Sequence, residues 1–263
     1  MTNARMILYG DRLDVSRLPE KARDRIAGPA GIMPTIINQM TDQGVDVYAT
    51  HDLNVIREVQ AKRNPRPRLF EIGDPAHQPT ANPRDTSIVV LKRGDEVIGC
   101  VGCRLKWLEG SLKEALEFGS LIMERPTGEQ IMVCNAPIAR SIDSVPVAVT
   151  TGLCVLEPDL QGGFKTLIRL LHLWVLMEWQ WTYLVAMCTP EFARQYCLDV
   201  EGYEATGTGI LWNRSDPETG LKTWSHYQLV HASRPWWRQL VADDRFADLS
   251  IPLGKPEEPK VPA

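Results

Sequence analysis

Apolar and polar positions along this chain recur with two different periods, and the change from one to the other divides it. Between residues 31 and 43, Ile32, Ile36, Ile37 and Met40 stand three or four apart, the spacing of one helix face, and Gly44 supplies a stop. Residues 51–64 repeat the pattern with Leu53, Ile56, Val59 and Gln60 on neighbouring turns and basic residues at the end. The run Asn64-Pro-Arg-Pro-Arg ends that helix, because proline disfavours helix both at and before itself. Residues 73–84 are rich in proline and poor in apolar side chains, the composition of a loop or linker.

From Thr86 onward the period falls to two. Ser87–Lys92 and Glu96–Arg104 predict two strands joined by the hairpin signal Arg93-Gly94-Asp95. Ser111–Phe118 predicts a short helix, with Ser111 as N-cap and Glu114 three residues later completing a capping box. A brief strand over Ile131–Cys134 follows, then an irregular insertion holding Pro137 and Pro146. Val147–Leu156 reads as a strand closed by Glu157-Pro158, with a glycine turn over Asp159–Thr166 and an apolar helix from Leu167 to about Gln180. Thr182–Met187 is the next strand. Strand, glycine turn, helix and strand make a βαβ unit whose two strands run parallel.

Downstream, Thr189-Pro190-Glu191 is a helix start, with Thr189 as N-cap and proline at the first helical position, and the helix is expected to run to about Leu198. Gly202–Trp212 and Thr223–Val230 predict two strands paired across the loop at residues 213–220, and residues 235–241 a last short helix. The proline- and lysine-rich tail is expected to be disordered. These segments imply an α/β architecture in three parts: a helical region and linker over 1–85, a catalytic or binding domain over 86–245, and a tail over 246–263.

Composition narrows the classes. With 263 residues the chain buries a sizeable core. A net charge of −4 argues against a general nucleic-acid binder, which needs a basic surface. The opening residues lack a long apolar stretch, and the most apolar segment, 167–181, is interrupted by Arg169, His172 and Glu178. The expectation is a cytoplasmic chain with no membrane span.

Six cysteines do not alter that reading. Cys100 and Cys103 form a Cys-x-x-Cys within a strand, where residues three apart face opposite sides, so no metal or redox site is expected from them. Eight tryptophans, among them Trp174, Trp179, Trp181, Trp236 and Trp237, are compatible with a homodimer face and more simply explained as core.

The candidate chemistry lies in the glycine turn. Free N–H groups and the positive end of the helix dipole converge there, which suits a phosphate. Around it, Leu156-Glu157-Pro158-Asp159-Leu160-Gln161-Gly162 resembles the hydrophobic-x-Pro-x-x-Arg/Gln-Gly stretch of the GNAT family of acyl-CoA-dependent N-acyltransferases. Gln161 matches the opening of that family's Arg/Gln-x-x-Gly-x-Gly/Ala signature. Phe164 and Thr166 depart from its two later small-residue positions, while Gly163 lies one place early.

The resemblance covers roughly Ser87 to Val230 and implies a GNAT-like mixed sheet with splayed central parallel strands, preceded by the helical N-terminal region. It implies acetyl-CoA or another acyl-CoA as donor, no metal, and a small-molecule amine as acceptor. The backbone of Cys154, Val155 and Leu156 would line the pantetheine arm, and Gln161, Gly162, Gly163, Phe164, Lys165 and Thr166 would hold the pyrophosphate. Tyr196 would protonate the departing thiolate, although it precedes Gly202-Tyr203 by more residues than the family spacing, and Glu157 would accept the amine proton. Against these stand ordinary readings: Tyr196 as a core tyrosine and Glu157 as a turn-entry charge.

Lys165, Arg169 and His172 share one helix face, either as a basic strip beside the phosphates or as a solvated stripe, with His172 as a packed or exposed histidine. Two alternatives remain for the whole chain. One is an acyl-carrier-protein-dependent synthase of the N-acyl amino acid or acyl-homoserine-lactone type. The other is a non-catalytic binding protein on the same fold.

Overall fold

The computed structural model describes residues 7–8, 33, 36–37, 40–64, 71–80, 82–156, 163–193, 203, 205–206, 209–215 and 222–242. Glu157, Gln161, Gly162 and Tyr196 lie outside the described residues, as do the expected continuation of the helix to Leu198 and the tail. Only the backbone is described at Gly163, Phe164 and Lys165.

A ten-stranded mixed sheet organises the chain. In chain order its strands are β1 (Ile7–Leu8), β2 (Asp46–Thr50), β3 (Thr86–Arg93), β4 (Glu96–Trp107), β5 (Met132–Cys134), β6 (Pro146–Val155), β7 (Tyr183–Cys188), β8 (Ala205–Thr206), β9 (Ile210–Ser215) and β10 (Lys222–Ser233). They are arranged β1-β2-β3-β4-β6-β7-β10-β9-β5, with β8 also paired to β10. β6 and β7 run parallel, and the other described pairs are antiparallel. This is the expected mixed sheet, with a central parallel pair amid antiparallel strands and helical residues ahead of it. Helices among the described residues include α1 (Asn54–Arg63), α2 (Leu112–Glu117), α3 (Ile138–Ser141), α4 (Gly163–Glu178), α5 (Pro190–Phe192) and α6 (Arg234–Ala242).

The period-two pattern of the central strands divides their side chains between two faces. Val89 and Leu91 of β3 and Val101 and Cys103 of β4 pack on one face with α4, α6 and the helical residues Met33, Ile36, Ile37 and Met40. Ile88, Val90, Cys100 and Cys154 pack on the other with Leu53, Ile56 and Val59, which lie at or within α1. Cys100 and Cys103 therefore do face opposite sides, and burial pushes both thiols well above their ordinary range. A third cluster covers the second face further along, where α2 and α3 lie over Val147, Val149, Val185 and Leu229. Trp179, Trp181 and Trp237 are buried, and Trp174 and Trp236 pack against the same core.

Several local signals are realised directly. β3 and β4 meet at the Arg93–Glu96 pair across Gly94-Asp95, with Gly94 at φ +60°. Ser111 and Glu114 form both bonds of the capping box. Thr189 caps α5 through Phe192 N–H, with Pro190 at the start.

Other expectations are corrected. Asp46–Thr50, which has no strict alternation of its own, becomes a strand by pairing with β3. α4 starts at Gly163 and not at Leu167, so Phe164, Lys165 and Thr166 belong to its first turn and not to the loop. The stretch expected as one strand over Gly202–Trp212 contains two: β8 pairs with Val230–His231 and β9 with Lys222–Tyr227. Gly209 between them sits at φ +44°, a left-handed kink that interrupts extended backbone.

Candidate active site at the parting of two parallel strands

β6 and β7 are paired only from Val147–Tyr183 to Val149–Val185. Beyond that rung β7 continues along β10 as far as Cys188–Gln228, while β6 continues along β4 as far as Val155–Gly99. Among the described residues nothing fills the ladder between them, so the sheet opens into a wedge with its apex at Val149 and Val185.

The β4 side of the wedge contains a bulge. Cys154 opposes Cys100 and Thr151 opposes Gly102, so Gly152 and Leu153 together face Val101. Gly152 takes φ +67°, and a Cβ placed there would lie 2.7 Å from Ile56 Cγ2. The side chain of Ile56 thus occupies the notch left by two glycines, since a Cβ on Gly102 would also come within 2.8 Å of it.

The bulge sets which amides reach the wedge. Leu156 N–H donates to Ile98 O at 2.8 Å, toward β4, so alternation directs Cys154 the same way and Val155 away from it. Of the three residues proposed to line a pantetheine arm, Val155 is the one whose peptide faces the gap. Cys154 is buried against α1, and Leu156 is spent on the β4 ladder.

At the apex a polar group stands on the α4 face. Thr150 is the first β6 residue past the paired rungs, and its Oγ1 lies 3.1 Å from His172 Nε2. Tyr203 donates its hydroxyl hydrogen to the same oxygen at 3.3 Å. The imidazole is fully buried, edge-on to Tyr203 and Trp237 at 5.5 and 5.2 Å. His172 is therefore the packed histidine of the two readings. Arg169 is also buried, so the solvated stripe expected on this helix does not extend to these two positions. The reason is that α4 is enclosed by the sheet, α6 and the N-terminal helical residues together. Thr166, in its first turn, is 8% exposed.

On the opposite face, one strand from the apex, lies a group of charged residues that sequence reasoning missed. Arg104 on β4 pairs in register with Val149, and its side chain is 4% exposed. Its Nη1 donates to Gln78 Oε1, which also accepts from Lys106 Nζ at 3.3 Å. Glu124 Oε1 stands 3.8 Å from Arg104 Nη2, and Glu124 Oε2 accepts from Thr80 N–H at 2.8 Å and its hydroxyl at 2.6 Å.

Burial, and then the neighbouring guanidinium, lower the Lys106 ammonium to about 8. Burial works against ionisation of Glu124, yet the Thr80 hydrogen bonds and the two cations hold it below the usual carboxylate range. The available signal was the pair Arg104 and Lys106, two apart in a strand and so on one face. Their convergence with Gln78 and Glu124 depends on loops whose course local pattern does not fix. Among the described residues no group of three His, Cys, Asp or Glu side chains is arranged to hold a metal. No helix of the described residues is long and apolar enough to cross a membrane.

No protein-family model and no curated protein sequence matches this chain. Solved structures similar to it include FeeM, an N-acyl amino acid synthase from uncultured soil microbes, at 13% identity and TM-score 0.36, covering 71% of this chain and 84% of that one. An acetyltransferase from Streptococcus agalactiae 2603 is similar at 10% identity and TM-score 0.38, covering 73% of this chain and 99% of that one.

Proposed function

We propose that this protein is an N-acyltransferase that moves an acyl group from a thioester, acyl-CoA in the first instance, to a small primary amine. The observation that carries the reading is the wedge between β6 and β7, with the Val155 peptide turned into it. An extended thioester arm needs such a slot, because exposed strand amides hold an arm of amide groups without demanding particular side chains. The first N–H groups of α4, over Gly163–Thr166, are donors for which the helix has no acceptor, which suits the donor's phosphates.

In the reaction the ammonium first loses a proton, for which Glu157 is the candidate acceptor. The amine nitrogen then attacks the thioester carbonyl, a C–N bond forms and the C–S bond breaks. The second nitrogen proton and the thiolate leave as a thiol, with Tyr196 as the candidate acid. One thioester and one ammonium thus yield one amide, one thiol and one released proton.

A second reading has an acyl carrier protein as donor. It is favoured by Phe164 and Thr166, which stand where the CoA signature has small residues, because a carrier-bound arm brings no nucleotide to that turn. Thermal-shift titration with acetyl-CoA, a long-chain acyl-CoA and free CoA, followed by thiol release in the presence of amines, separates the readings. Stabilisation by CoA species supports the first. Turnover of acylated carrier protein without any CoA effect supports the second. Neither effect leaves a non-catalytic binding protein.

A further inference from the structure

The Arg104 group is more than a structural ion pair. Of the three nitrogens of its guanidinium, Nη1 is engaged by Gln78, Nη2 has the 3.8 Å approach of Glu124, and Nε is buried with no hydrogen-bond partner among the described residues. The Nε–Nη2 edge, which matches the two oxygens of a carboxylate, is therefore the one without a hydrogen bond. A buried donor of a charged group left in this way is costly unless something fills it.

Lys106 stands beside it with one hydrogen bond, to the Gln78 oxygen that already serves Arg104. Among the described residues, Glu124 is the carboxylate within ion-pair distance of Arg104, none stands within that distance of Lys106, and the second oxygen of Glu124 is taken by Thr80. Asp85 acts on both cations but forms no ion pair with either within 4 Å. Further toward the wedge on the same face, the Thr151 hydroxyl is also buried with no hydrogen-bond partner. Arg104 and Thr151 flank the level at which β6 and β7 part: Arg104 is opposite the last paired residue, Val149, and Thr151 is two residues beyond it. This face lies across the sheet from α4, the side from which an acceptor must come if the donor's phosphates rest at the start of that helix.

We propose that the Nε–Nη2 edge of Arg104, with Lys106 beside it, binds the carboxylate of the acceptor, which makes the acceptor an amino acid. The inference rests on the acyl-transfer reading for the word acceptor, but the binding site itself does not. Gln78 holds both cations in register through its one side-chain oxygen.

The protein is titrated by ligand-observed NMR with the free L-amino acids, with their carboxamides, and with inorganic phosphate. The expected result is that one or more amino acids bind and that the matching amide binds at least about tenfold more weakly, the scale of a hydrogen-bonded charged contact. R104Q should abolish that binding. K106Q, at a half-buried position that leaves Arg104 and Glu124 in place, should weaken it about three- to tenfold by the same principle. Failure of every amino acid to bind, equal binding of acid and amide, or unchanged binding in a folded K106Q protein overturns the proposal. Phosphate binding without amino-acid binding overturns it in favour of a simple oxyanion site. Amino-acid binding without consumption of any thioester removes the acyl-transfer reading and leaves the site. Thioester consumption with no preference for carboxylate-bearing amines removes the site and leaves the reaction.

Discussion

Gly152→Ala should destabilise the protein through two separable effects at the bulge beside the wedge. The residue holds φ +67°, where an L side chain costs roughly 1–2 kcal/mol. Its new methyl group would also meet Ile56 Cγ2 and Cδ1 at 2.7 and 2.8 Å, inside ordinary contact, an overpacking of about 1–3 kcal/mol. Together the loss is about 2–5 kcal/mol, which urea denaturation followed by tryptophan fluorescence resolves if the slope of the transition is unchanged.

Ile56→Ala alone opens a cavity over Gly102 and Gly152 and should cost about 2–5 kcal/mol. Combined with Gly152→Ala, it removes the clash, so the alanine at 152 should then cost only its backbone part. A coupling of about 1–3 kcal/mol between the two substitutions is the expected signature. The reasoning is refuted if Gly152→Ala is neutral, or if its cost is the same with and without Ile56. Because the bulge turns the Val155 peptide into the wedge, a folded Gly152→Ala protein should also bind a CoA thioester less well.

Three further outcomes are expected. Lys106 has a folded pKa of about 8, lower than that of an unfolded lysine. Between these values the unfolded chain binds the proton that the native state does not, so the Lys106 contribution to stability should rise with pH across that window. Lys106→Met should flatten the rise in a pH series of urea midpoints. Charge reversal at Lys165 should weaken CoA binding by about 1 kcal/mol, measured by calorimetric titration, the scale of a single charged contact. Tyr196→Phe should lower turnover by about 10²–10⁴-fold while leaving donor affinity nearly intact, and wild-type turnover in that variant would assign the acid to another group.

The order of elements was legible where the residue pattern and the backbone geometry are both local. Alternation over residues 87–92 and 96–104, Gly94 in the hairpin, the Ser111–Glu114 box and the Thr189-Pro190 start each depend on contacts within a few residues, and each is realised. The same locality explains the misses. β2 is a strand because β3 lies beside it, Gly209 divides β8 from β9 because β10 pairs with both, and α4 gains its first turn although a glycine suggested a loop.

The candidate site divides in the same way. A strand, a glycine turn and a helix could be read from residues 147–180, and with them the direction in which to look for a donor. The family resemblance implied that the two parallel strands splay, but that they part after Val149 could not be read, since it depends on β4 and β10 drawing the two strands in different directions. Nor could the gathering of Gln78, Arg104, Lys106 and Glu124, whose side chains meet across 46 residues of chain. The sequence by itself determined most of the strands and helices and which of their faces are apolar, because those are set by periodicity and local capping. Tertiary structure alone decided where the sheet opens and which buried charges face one another, because hydrogen-bond partners and desolvation are properties of neighbours distant in the chain.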